Sequence, residues 1–200
     1  MKICGLGKGR SVERFPYASG PLLGQHHGYM HAYQDLKAKP ELAEHTPELQ
    51  DVPQFVELVL EMNRGAFRTL RCEKALAKDP RAPRHLRWKL TSCLGFAFEF
   101  VDLNTTGSYE DLLLKLMDKL HDSEDLVNVI ELDLEDLILF DSLECIGGCF
   151  WLHGRGSNPK KARRAWNQTL ADLRRFVKRY KPPHSNSSRT IAEMMKSKDL

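Results

Sequence analysis

Apolar residues recur at helical spacing in several stretches between residues 52 and 181. The clearest stretch opens at Pro159, directly behind Ser157 and Asn158, and ends before Pro182. Its apolar positions lie three or four residues apart and form one stripe: Ala162, Trp166, Leu170, Leu173, Val177 and Tyr180. Proline suits the first position of a helix, and serine or asparagine can cap the position before it. The pattern therefore predicts a long amphipathic helix.

A second helical pattern follows Pro53. Apolar residues again recur at spacings of four and three: Phe55, Val59, Met62, Ala66 and Leu70. We expect this helix to run to about Lys78, because Asp79 and Pro80 break it. Five basic residues would then lie together on the side of the helix that faces away from the core: Arg64, Arg68, Arg71, Lys74 and Lys78.

Residues 85–103 are consistent with a third helix, with apolar side chains on one face. The alternation around Phe96, Phe98 and Phe100 is instead typical of a strand. After this stretch, Ser108 is a good helix start, since acidic residues follow it and suit the positive end of the helix dipole. We expect that helix to run to about His121.

Residues 123–148 contain the most ambiguous pattern of the chain. Ser123 resembles a helix start and Gly147–Gly148 resembles a helix stop, whereas isoleucine and leucine alternate with carboxylates over 130–135. We favour one buried helix, because the signals at its two ends agree. If a strand forms instead, Gly147–Gly148 becomes a hairpin turn.

Together these patterns predict an all-α or nearly all-α fold, a single bundle of about five main helices. We expect an irregular N-terminal arm over residues 1–51, a helical domain over 52–181 and a flexible tail over 182–200. A short helix at Ile191–Met195 is expected within the tail. The alternative is an α+β fold with strands near 96–103, 129–140 and 149–153, and a short β-hairpin near 140–153.

Amino-acid composition says more about the cellular compartment of the protein than about its function. The chain has 200 residues, a formal net charge of +3 and five cysteines at wide, uneven spacings. An odd number of scattered cysteines is not a disulfide framework, so we expect free thiols in a reducing compartment. The first ten residues lack the apolar core of a signal peptide, and no apolar run approaches the roughly 18 residues of a membrane span. These features predict a cytoplasmic protein with no membrane contact.

Charge is segregated along the chain despite the small net value. Residues 155–181 hold ten basic residues and one acidic residue, and residues 64–89 hold nine and two. Residues 110–144 hold twelve acidic residues and two lysines. Arginine and lysine on a solvated helix face can bind phosphate oxygens. The same faces can also serve solubility alone, or pair with the acidic segment of the same molecule.

We favour a non-catalytic regulatory or binding protein whose basic helical faces contact an anionic partner, most plausibly a nucleic-acid backbone. The predicted contact residues lie on the two basic helices: Lys160, Lys161, Arg164, Arg175, Lys178, Arg179, Arg64, Arg68 and Arg71. The aromatic residues of the last helix lie on its core side, so we expect contacts to backbone rather than to bases. An acidic protein surface is a second kind of partner for the same residues. A third hypothesis, from another class, is an inhibitor or immunity-type module that binds a basic protein through residues 110–144.

Candidate catalytic and metal-binding chemistry is sparse. His26, His27 and His31 resemble a metal-ligand group, which His45 or Asp35 would complete in a small metalloenzyme. The glutamate of a metalloprotease motif is absent, so we assign no metal, no cofactor and no catalytic residue. The cysteines of the segment 145–149 do not have zinc-site spacing and are expected to be buried thiols.

Overall fold

The computed structural model describes residues 2–15, 35–46, 49–120, 126–140 and 142–197, and for residues 4–15 it describes the backbone only. Five strands lie within these residues: β1 (Lys2–Phe15), β2 (Phe67–Lys78), β3 (Trp88–Phe98), β4 (Asn128–Leu139) and β5 (Leu143–Gly156). Four α-helices accompany them: α1 (Pro53–Arg64), α2 (Thr106–Leu120), α3 (Pro159–Val177) and α4 (Ile191–Ser197). Short 3-10 helices span Pro40–His45, Arg84–Leu86 and Val101–Leu103.

The strands form one mixed sheet in the order β1-β4-β5-β3-β2. The edge strand β1 is parallel to β4, and all other neighbours are antiparallel. This overturns the predicted all-α bundle, and the α+β alternative fits the structure better. The segment that we expected to be an irregular arm contributes β1 to the sheet through residues 2–15.

Helices α1, α2 and α3 cover one side of the sheet, which we call the helix face. Ile130, Leu132 and Leu134 of β4 point to this side and join one large buried core with residues of all three helices. Helix α3 is anchored there by the Trp166 indole, which donates to Oγ of Ser92 at 3.0 Å. The apolar stripe of α3 is therefore buried, as the sequence predicted. Asn158 caps the helix, since its side-chain oxygen accepts a hydrogen bond from the Lys161 amide.

The other side of the sheet, which we call the opposite face, is built differently. At one end, α4 packs Ile191, Met194 and Met195 against Leu137 and Leu139 of β4. The short helix predicted in the tail is therefore present and belongs to a second, smaller core. The rest of this face carries polar residues and cysteines, because the alternate positions of β3, β4 and β5 point to it.

The predicted helix 53–78 was wrong in its second half. Helix α1 ends at Arg64, and the amide of Gly65 caps its last turn. Strand β2 then pairs with β3 along its whole length from Phe67 to Lys78. The apolar spacing of Ala66 and Leu70 continued the helical pattern by coincidence. The basic stripe predicted on this helix therefore does not exist, because a strand turns alternate residues to opposite sides.

The helices predicted at 85–103 and 123–148 were also wrong. Strand β3 replaces the first, and the β4–β5 hairpin replaces the second, with its turn around Phe140 rather than at Gly147–Gly148. The two glycines lie inside β5. A Cβ at Gly148 would come within 2.6 Å of the Tyr109 ring, so this glycine admits an aromatic side chain rather than ending a helix.

Candidate anion-binding site

Two basic stretches that are far apart in the sequence meet at one end of the sheet. Strand β3 begins where β5 ends, so that Trp88 pairs with Gly156, and Lys89 pairs with Arg155. Strand β2 ends at the same level, since Lys78 pairs with Trp88, and α3 starts three residues after β5. The segments 78–89 and 155–164 together carry ten basic residues and one acidic residue. We call this part of the molecule the basic end.

Close backbone packing places the start of α3 against the basic end. A Cβ at Gly154 would lie 2.1 Å from the Trp166 amide nitrogen, and one at Gly156 would lie 2.6 Å from Cβ of Lys161. Only glycine allows the helix to approach β5 this closely. The first two turns of α3 are therefore fixed against the end of β5, and their basic side chains face solvent.

The outer surface of α3 has almost no compensating negative charge. Its single acidic residue, Asp172, is buried and accepts from Gln168 and Arg175. The exposed basic residues of its first two turns form no ion pair with described residues: Lys160, Lys161, Arg163 and Arg164. Lysine at a helix start is disfavoured by the dipole by about 0.3–1 kcal/mol, which an anion bound there would reverse.

The basic end also contains one partly exposed aromatic residue. Trp88 is half-buried, and the Lys78 ammonium lies 5.9 Å from the centroid of its ring. Arg81 and Arg84 are exposed on the hairpin loop that joins β2 to β3. A ring beside several cations can support stacking as well as phosphate contact. Sequence reasoning missed Trp88, because the helix predicted over 85–103 gave it no special position.

Two of the predicted contact residues are already engaged in ion pairs. Arg68 is 1% exposed, and its guanidinium binds Glu99 at 3.0 Å and Asp35 at 2.5 Å. Arg71 lies on the opposite face over Gly95 and reaches Glu135 at 2.5 Å. Neither side chain can contribute to a phosphate surface shared with α3, since both ion pairs lie across the sheet from that helix.

The remaining predicted contacts lie away from the basic end. Arg64 is exposed at the end of α1, 3.8 Å from Glu61. At the far end of α3, Lys178 is exposed, whereas Arg175 and Arg179 line an open pocket of about 840 Å³ between α2 and α3. The length of α3 separates this pocket from the basic end by roughly 25 Å.

The described residues of the acidic segment, 110–120, 126–140 and 142–144, do not form a single surface. Glu110 and Asp118 lie on α2, which packs on the helix face, whereas Glu131, Asp133 and Glu135 lie on β4 and point to the opposite face. The sheet separates the two groups. An inhibitor that docks through one continuous acidic surface therefore gains no support from this arrangement.

The opposite face carries a close group of three polar side chains, of which Thr91 and His153 are joined by a hydrogen bond. Nδ1 of His153 lies 3.0 Å from Oγ1 of Thr91, and Nε2 lies 3.3 Å from a carboxylate oxygen of Glu131. Burial, with the nearby charges of Lys89 and Arg155, lowers the pKa of His153 to about 3. The imidazole is therefore neutral at pH 7, and its contact with Glu131 is not an ion pair.

Hydroxyl, imidazole and carboxylate in series resemble a nucleophile, a base and an orienting acid. An effective general base has a pKa near the working pH, and that of His153 is far below it. The arrangement can hold a hydrogen-bonded ligand, but it is poorly suited to take a proton from Thr91.

The described thiols include one close pair. Sγ of Cys93 and Sγ of Cys149 lie 2.8 Å apart on the opposite face, and both side chains are buried. The hydrogen bond with Cys93 and burial raise the pKa of Cys149, so it is a poor nucleophile. Cys145 is half-buried, and burial raises its pKa to about 12. The prediction of buried thiols thus holds for Cys149 and only partly for Cys145.

The predicted histidine group lies outside the described residues, as His26, His27 and His31 all fall within 16–34. Among the residues that are described, no three His, Cys, Asp or Glu side chains come together as a metal site. Asp35, a predicted additional ligand, instead binds Arg68. In the same part of the chain, every helix is too short or too polar to cross a membrane.

Comparison with known proteins gives no relative. No family model, no curated protein and no solved structure matches this chain.

Proposed function

We propose that this chain is a non-catalytic, nucleic-acid-binding regulatory protein that contacts the phosphate backbone through its basic end. The observation that supports the proposal is the meeting of segments 78–89 and 155–164 through the pairing of β3 with β5. Lys89 and Arg155 lie on the opposite face, and the two segments carry eight other cations and one carboxylate at this end of the sheet. A polyanion would bind such a local surface.

Backbone contact follows from the kind of side chains that this surface presents. Flexible lysine and arginine side chains on the first turns of α3 bind phosphate oxygens without reading sequence. Trp88 is the one aromatic residue of the segments 78–89 and 155–164, so the surface offers little for base recognition. We therefore expect strong salt dependence and weak sequence preference.

The test measures binding of labelled duplex and single-stranded DNA and RNA by fluorescence anisotropy, at salt concentrations from about 50 to about 200 mM. Two variants that remove the same charge are compared: K160A/K161A/R164A at the basic end, and K178A/R179A/K181A at the far end of α3. Because each lost phosphate contact lowers the salt slope by about one, the first variant should lower the slope by about 2 to 3.

The far-end variant is the matched control, since its residues lie directly after the C-terminal end of α3 and it has the same net charge. It should change the slope by less than about one. Equal losses in the two variants would show that only net charge matters. A wild-type protein that fails to bind at about 100 mM salt would refute the proposal altogether.

A further inference from the structure

A second cationic site lies on the opposite face of the sheet, across from α3. Lys89 of β3 pairs directly with Arg155 of β5, and Thr91 pairs with His153 in the next row. Directly paired residues of an antiparallel ladder are neighbours on the same side of the sheet. Four polar side chains therefore form one compact block, which we call the Lys89–Arg155 block.

The two cations of this block have no direct counter-ion among the side chains that the structure describes. Among the contacts of the described chain, neither the Lys89 ammonium nor the Arg155 guanidinium forms an ion pair or a hydrogen bond, and Nε of Arg155 is buried. Like charges that are directly opposite destabilise a sheet. Burial and Arg155 lower the pKa of Lys89, although Glu131 and Asp79 act in the other direction. An anion held between the two cations would relieve this repulsion.

His153 supplies a second, independent sign of a missing ligand. Its side chain is 4% exposed, and its Nε2 makes no hydrogen bond, although a carboxylate oxygen of Glu131 is 3.3 Å away. Buried polar atoms without a hydrogen bond are rare in folded proteins and call for an explanation. A bound ligand that accepts from this nitrogen would provide one.

We propose that Lys89, Arg155 and His153 bind a phosphate group that still carries a hydroxyl, that is, inorganic phosphate or a phosphomonoester. The guanidinium fork and the ammonium bind the charged oxygens, and the neutral imidazole donates from Nε2. Glu131 decides between oxyanions. Its carboxylate accepts from a P–OH group and repels an anion that has no proton to offer.

This chemistry predicts discrimination between similar anions. Inorganic phosphate carries at least one proton at neutral pH, and a phosphomonoester carries one in its monoanion, which forms as pH falls to its second pKa of about 6. Sulfate and a phosphodiester carry none at either pH. The site should therefore ignore the nucleic-acid backbone. It does not rest on the function proposed for the basic end.

The test titrates the 200-residue chain with inorganic phosphate, ribose 5-phosphate, dimethyl phosphate and sulfate by isothermal calorimetry at matched ionic strength. It is run at about pH 6, where a large fraction of the monoester carries a proton. Inorganic phosphate and the monoester should bind at least about tenfold more tightly than sulfate and the diester, the ratio that one charged hydrogen bond provides. R155Q should weaken phosphate binding about tenfold or more, and R155K should restore part of it, since lysine keeps the charge without the fork. Unchanged thermal unfolding of R155Q confirms that the loss is local.

The variant E131Q isolates the selectivity, because glutamine no longer repels a proton-free anion. It should bring sulfate and phosphate within about threefold of each other. K160A/K161A/R164A is the control and should bind phosphate as the wild type does, even if it no longer binds oligonucleotides. Equal affinity for phosphate and sulfate in the wild type, no binding of either, or an R155Q protein that binds normally would each overturn the proposal.

Discussion

Replacing His153 with asparagine tests the electrostatics of the opposite face. In the native protein, burial and the charges of Lys89 and Arg155 keep the imidazole neutral and lower its pKa to about 3. In the unfolded chain the same histidine titrates near its usual value of about 6.5. As pH falls below about 6.5, the unfolded chain binds a proton that the native protein does not bind. The free energy of unfolding therefore decreases as pH falls.

The size of the effect follows from this difference in bound protons. One proton corresponds to about 1.4 kcal/mol for each unit of pH. Between pH 6.5 and pH 5 the His153 contribution should therefore lower the free energy of unfolding by about 2 kcal/mol. For a chain of this length, that loss corresponds to a decrease in melting temperature of about 4–8 °C.

Urea unfolding of the wild type and of H153N, repeated from about pH 8 to about pH 4.5, isolates this contribution from the carboxylates that titrate in both proteins. Asparagine keeps a polar group near Thr91 but carries no titratable site. We expect H153N to be less stable at pH 8, and to lose stability more slowly on acidification than the wild type. The two stability curves should approach each other at low pH.

Two results would refute the reasoning. Parallel stability curves would show that native and unfolded His153 bind the same number of protons. A native pKa of about 6 or higher, measured from the imidazole nitrogen shifts by NMR, would show that the cations and burial do not act on this ring as argued.

Two further predictions concern the free energy of unfolding, measured with urea. G154A should lower it by more than about 3 kcal/mol, because the added Cβ would lie 2.1 Å from the Trp166 amide. G107A is the control: its Cβ meets nothing within 4 Å, so the substitution should raise the free energy of unfolding by up to about 1 kcal/mol. Similar values for the two variants would contradict the close packing of α3. R68M should cost about 3–5 kcal/mol, because it removes the guanidinium from the buried Glu99 carboxylate, which retains the Ala192 amide and, at 4.0 Å, the Lys37 ammonium. A cost below about 1 kcal/mol would show that the Arg68–Glu99 ion pair is not needed.

The elements that the sequence predicted correctly are those with complete local signals. Helix α3 has an apolar stripe, a proline at its first position and a capping Asn158, and all of these act within a few residues of one another. Helix α2 likewise forms at the predicted position. Local signals are sufficient to predict such helices, because an amphipathic helix can pack against any apolar surface and does not need one particular partner.

The strands were not predicted, because other parts of the protein cover both faces of the sheet in this region. Residues of β3 from Cys93 to Phe98 are all buried, so the alternation of a half-exposed strand is absent and the apolar run resembles a buried helix. Strand β4 did show alternation over 130–135. The glycine pair at 147–148 concealed it, since a glycine such as Gly148, which makes room for the Tyr109 ring, looks the same in sequence as a helix stop.

The candidate sites were only partly predictable, for a related reason. The sequence showed that segments 64–89 and 155–181 are basic, but not that Lys89 would lie beside Arg155, because that neighbour relation is set by strand pairing. It also could not show that Arg68 is buried in an ion pair. A basic residue looks the same whether it faces solvent or compensates a buried carboxylate.

Both proposed sites depend on the same pairing of β3 with β5. Moving β3 by two residues along β5 would preserve the inward and outward pattern of both strands, yet it would separate Lys89 from Arg155 and Trp88 from Gly156. The glycines at 154 and 156 oppose such a shift, because they fix α3 over one level of β5 while β3 supplies Ser92 as the partner of the Trp166 indole. The close contact between α3 and β5 is therefore what keeps two basic segments, separate in sequence, together at one end of the molecule.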